Sequence, residues 1–140
     1  MQSDVRTGPI LVESNEDLSS SSNRLGVLLN NSGLKAALPS ATTDHTLHLI
    51  EIGRAQGEKS VLLPLAPDTQ VRVVAKGAIN PGDVVVMADP GTAADKGKVR
   101  ALPGTTGTFK GVGIYEGEKA AADGDLALIR PVQLGDIDVA

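Results

Sequence analysis

Between residues 44 and 132, Gly and Pro cluster between short runs rich in Val, Leu and Ile. This punctuation constrains the fold more than any other feature of the chain. Gly and Pro are costly inside regular elements and favourable in turns, so they mark where elements end. Seven runs are delimited in this way: 45–52, 60–65, 70–75, 83–87, 98–102, 108–115 and 125–132. They are short, carry β-branched residues, and recur every ten to fifteen residues or so, the spacing of a small barrel or sandwich. No segment after residue 40 repeats its apolar residues with a helical period. The expected class is therefore all-β: a small β-barrel or β-tulip-like domain.

The first quarter reads differently. Residues 1–24 scatter Asp4, Glu13, Glu16 and Asp17 among small polar residues and contain a run of four serines, 19–22, which is linker-like chemistry. The expectation is an extended N-terminal arm over 1–24 and a barrel domain over 25–140. Within the arm, Ile10, Leu11 and Val12 form a short apolar patch that could pair with a sheet edge, that of another chain included; the alternative is a partly disordered terminus. In 25–43, Leu25, Val27, Leu28, Leu29, Leu34, Ala37 and Leu38 would suit a short helix. Asn30, Asn31, Ser32 and Gly33 form a turn signal in its middle, so two short pieces around a turn are expected. At 140 residues the chain is of one-domain size.

Composition narrows the functions. Phe109 and Tyr115 are the only aromatic residues, and the apolar mass is 16 Leu, 16 Ala, 14 Val and 7 Ile. The formal charge is -4. A nucleic-acid surface needs basic patches and stacking rings, so nucleic acid is not an expected partner. There is no cysteine, which removes thiolate and disulfide chemistry. No run approaches the roughly 20 apolar residues of a membrane helix, and the first 17 residues lack the basic and apolar regions of a secretory signal. No membrane association is expected.

Possible sites are sparse. His45 and His48 would share a face on a helix but point to opposite faces of a strand, and Thr46, Leu47, Leu49 and Ile50 favour a strand. A metal site there is not expected. Asn80-Pro81-Gly82-Asp83 and Ala122-Asp123-Gly124-Asp125 begin 42 residues apart, and each leads into an apolar run. Gly82 and Gly124 suit the positive φ of a turn, and Asp83 and Asp125 suit acceptors for backbone N–H groups; they read as structural turns, not as an acid/base pair. The glycines of 103–107 lack the Lys-Ser/Thr of a phosphate loop, and Gly111-Val112-Gly113 lies in a β-rich run. Lys96, between Asp95 and Gly97, reads as a solvated hairpin tip. The expectation is a binding or structural protein, not an enzyme, with no cofactor.

Three segments together resemble the bacteriophage capsid cement, or head-decoration, proteins: 77–86 (GAINPGDVVV), 109–114 (FKGVGI) and 122–129 (ADGDLALI). The shared pattern is Gly-Asp then an apolar strand, a Val-Gly-Ile strand, and a second Gly-Asp then an apolar strand. It covers roughly residues 70–132. The resemblance implies a small β-barrel or β-tulip-like fold that assembles as a homotrimer. It also implies a location on the outer surface of the virion capsid, bound to the major capsid protein. The alternative is a barrel-sandwich carrier, or another small β-barrel binding domain accessory to an enzyme, with Lys96 or Lys98 as the modified residue.

Overall fold

Backbone polar groups must be paired wherever they leave water, and short β-branched runs satisfy this by laddering with one another. The computed structural model describes residues 8–140. Among them are eleven strands and one short 3-10 turn, Ala93–Asp95. The first five strands are β1 (Ile10–Ser14), β2 (Arg24–Asn30), β3 (Leu34–Ala37), β4 (His48–Ile52) and β5 (Lys59–Pro64). They close into a barrel in the order β1-β3-β2-β4-β5. Closure comes from β1, which pairs antiparallel with β5 (Ile10 opposite Leu62, Val12 opposite Ser60) and parallel with β3. Closure leaves the barrel without free edges. Its interior is small and aliphatic: Val12, Leu18, Ala36, Ile50 and Leu62 pack together, with Ile10, Leu28 and Leu38 around them.

The remaining strands are β6 (Val71–Val74), β7 (Val84–Met87), β8 (Val99–Ala101), β9 (Gly107–Tyr115), β10 (Leu126–Pro131) and β11 (Asp136–Val139). They form a second sheet, ordered β6-β10-β9-β7-β8, with antiparallel pairing along its length. Its two end strands approach each other where Ala75 bridges Val99, and Lys76 N–H donates to Val99 O at 2.7 Å. The nine-residue β9 serves two purposes. Its second half lies between β7 and β10, and its first half pairs with β11.

Barrel and sheet share one core. Leu25 and Leu49, from barrel strands β2 and β4, pack with Val71, Val73, Val85, Val99, Val112, Tyr115 and Ile129 of the sheet. Along β4, neighbouring residues serve opposite sides: Ile50 fills the barrel, while Leu49 faces the second sheet. Polar contacts reinforce the joint. Asn23, in left-handed conformation (φ 64°), donates its N–H to Ile50 O (2.7 Å) and accepts from Val74 N–H (3.0 Å). Leu25 N–H donates to Gly97 O at 2.7 Å, and the Arg24 guanidinium donates to the carbonyls of Ala94 and Lys96 at 2.9 and 3.0 Å.

The all-β barrel expectation holds, and the seven delimited runs coincide with β4 through β10. The two pieces expected in 25–43 are β2 and β3, joined by a turn in which Ser32 and Gly33 take positive φ. The arm requires correction over its described part. Ile10, Leu11 and Val12 belong to β1 and pair within their own chain. The serine run is not a linker either. Leu18 and Ser21 are buried, and Ser22 Oγ accepts from Gly53 N–H at 3.0 Å. Backbone packing here is so close that a Cβ on Gly53 would lie 1.8 Å from Leu18 O. The physical reason is barrel closure: five short strands need β1 to complete the ring, and Leu18 to fill it. Residues 1–7 of the expected arm lie outside the described residues.

Candidate functional site

The most organised local geometry lies where the two Gly-Asp turns meet. Gly82 and Gly124 have φ of 85° and 86°, the left-handed region in which a side chain would be strained. In the first turn Asp83 N–H donates to Asn80 O (3.0 Å), and the Asp83 carboxylate accepts from Asn80 N–H (2.8 Å). In the second, Asp125 N–H donates to Ala122 O (3.0 Å), and the Asp125 carboxylate accepts from Ala122 N–H (2.8 Å). Each turn is also stitched to the end of a neighbouring strand. Gly82 N–H donates to Tyr115 O and Tyr115 N–H to Asp83 O; Gly124 N–H donates to Ala75 O and Ala75 N–H to Asp125 O. The residues just before the turns, Ile79 and Ala121, exchange both backbone hydrogen bonds, at 3.0 and 2.8 Å. The β6-turn-β7 and β9-turn-β10 units thus interlock, with β6 paired to β10, β7 paired to β9, and Ile79 bridging Ala121. The Asp83 and Asp125 carboxylates are both engaged in holding backbone.

Around this centre the charges are spent on structure. Asp123 accepts from Gly77 N–H (2.8 Å), which holds its carboxyl below the ordinary value, and Lys76 and Lys98 act in the same direction. The Glu116 carboxyl is lowered first by the Gln70 amide (2.6 Å) and further by Arg130 (2.9 Å). Tyr115 donates its hydroxyl to Lys119 O at 2.6 Å and so pins the loop that follows β9.

A groove of about 380 Å³ opens between barrel and sheet. Leu47, Leu65, Val112, Val132 and Leu134 supply apolar walls, and His45, Lys110 and Asp136 stand among the polar lining groups. Lys110 and Asp136 pair at 2.6 Å. Elsewhere, Leu11, Val61 and Ile52 form a cross-strand row on the outer wall of the barrel, with Leu11 65% and Ile52 43% exposed. This row was not visible in the sequence, because it depends on the pairing of β1, β5 and β4.

The two histidines are not brought into a common ligand set. His45 lies ahead of β4 and is exposed, whereas His48 opens β4, where burial pushes its imidazole below the ordinary value. Among the described residues no group of three His, Asp or Glu side chains is placed to hold a metal ion. Lys96 is not on a solvated tip. Its loop is held against β2 by Arg24, while Lys98 Nζ lies 3.4 Å from Asp95. No family model matches this chain, and no curated protein matches it.

Proposed function

We propose that this chain is a structural phage virion protein. In this reading it is a capsid decoration (cement) protein that binds the outer face of an icosahedral head as a homotrimer and stabilises capsomer contacts through the major capsid protein. The observation that supports this reading most is the meeting of the three segments that carry the family resemblance. They lie on adjacent strands β7, β9 and β10, and their two Gly-Asp turns are interlocked. A protein of this role needs a rigid shape and repeated modest contacts, since symmetry multiplies weak affinities. The row of exposed Leu11 and Ile52 with half-buried Val61 between them supplies apolar area of the kind that subunit contacts cover. An acidic chain also suits an exterior position away from packaged nucleic acid.

Two measurements test it. Native mass spectrometry should give three times the 14.3 kDa chain mass. Sedimentation with heads of the phage that carries the gene should place the protein on the particle in numbers set by capsid symmetry. A monomer that never sediments with those heads would overturn the proposal.

A further inference from the structure

We infer that β11 is a docking edge, which accepts an added strand from another protein in which basic and apolar residues alternate. This inference concerns one edge and stands apart from the capsid reading, because its test involves no capsid. The barrel has no edges, and the end strands β6 and β8 of the second sheet are held to each other. β11 differs. It pairs with the first half of β9 (Asp136 opposite Lys110, Ile137 opposite Phe109, Asp138 opposite Thr108, Val139 opposite Gly107). Among the described residues no backbone hydrogen bond joins 136–139 to any segment besides β9. A strand paired on one side only presents a row of N–H and C=O groups that template another strand. A two-stranded ribbon is also marginal by itself, so a third strand would stabilise it.

The side chains say what kind of strand fits. Asp136 and Asp138 share one face with Lys110 and Thr108, and both aspartates are exposed. Lys110 pairs with Asp136 and the Thr108 hydroxyl donates to Asp138 at 2.6 Å, so two carboxylates face one cation there. The other face carries half-buried Ile137 and Val139, with Phe109 opposite Ile137. A second copy of β11 would set carboxylates beside carboxylates, which destabilises a cross-strand pair. A strand with Lys or Arg at alternate positions sets opposite charges beside Asp136 and Asp138 and apolar side chains beside Ile137 and Val139. The apolar groove of Leu47, Leu65, Val112 and Leu134 begins at Asp136, where it offers a seat for an anchoring side chain beyond the ladder.

The test titrates the isotope-labelled full chain with a capped hexapeptide of alternating lysine and valine. Amide signals of 136–139 should shift and their hydrogen exchange should slow, with binding weakened by salt. A peptide of alternating glutamate and valine should bind markedly less. Changing Asp136→Asn and Asp138→Asn together should weaken binding about fivefold, the loss expected for two cross-strand charge pairs. Asp136→Lys with Asp138→Lys should reverse the preference between the peptides. Equal binding of the two peptides, shifts mapping away from β11, or no shift at millimolar peptide would each overturn the inference.

Discussion

Asp83 and Asp125 each return a carboxylate to the N–H that opens their own turn, at 2.8 Å in both cases. Replacing either with Ala leaves that N–H to water and should lower stability by about 1 kcal/mol in urea unfolding. Asn at either position keeps an acceptor and should restore most of the loss. Both aspartates and their glycines are legible in the sequence, because turn chemistry is local and needs no partner to be recognised. What the turns touch is not legible, since the Ile79–Ala121 bridge spans 42 residues and depends on the sheet. His48 is the residue whose charge the fold resists. Burial holds its imidazole below the ordinary 6.5, so it is neutral when folded at neutral pH. The unfolded chain takes up the proton first as pH falls, so stability is full above about 6.5 and is lost as pH drops through the lower folded value. Thermal melts across pH 7.5 to 5 should show this loss, and His48→Gln should flatten it.

At the scale of elements, β1 and the 93–98 loop departed most from expectation. The residues of β1 have the composition of an exposed arm: Leu11 is 65% exposed, and Glu13 pairs with Lys35 on the outer wall. Val12 and Ser14 are buried, with Ser14 bonded to Ser60 at 2.6 Å, and Ile10 packs at the margin of the barrel core. Three inward positions, one of them a serine, are too short an alternation to identify a strand. β11 is missed for a similar reason, as its apolar positions are only Ile137 and Val139. The 93–98 loop looks solvated in sequence because its anchors are main-chain carbonyls, which accept from the Arg24 guanidinium about seventy residues away. Arg24→Ala should therefore raise amide exchange across 93–98 while leaving β4 and β5 protected. Unchanged exchange there would show that the Leu25 to Gly97 backbone bond holds the loop without the guanidinium.

For the whole molecule, the decisive fact is that barrel and sheet bury one another. Leu25 and Leu49 leave the barrel wall and end in the core of the sheet, both nearly inaccessible to solvent. Leu25→Ala or Leu49→Ala should cost roughly 2–5 kcal/mol, the range for large-to-small changes in a packed core. Because the core is shared, denaturation followed at Tyr115 and by far-ultraviolet circular dichroism should remain one coincident transition. Two separated transitions would mean that the halves fold independently. The near absence of aromatic residues fits this arrangement, as many small aliphatic contacts, spread over two joined layers, replace a few large ones. By itself the sequence determined the all-β class, seven of the strands, the turn within 25–43 and the two Gly-Asp turns. Each of these follows from interactions among near neighbours, which residue type alone dictates. Tertiary structure alone decided that the supposed arm closes a barrel, that β4 serves two cores, that the two turns interlock, and that β11, among the described residues, pairs with β9 alone. Those outcomes rest on pairings between distant segments, where the same short apolar run is stable in several places until the remaining strands choose its partner.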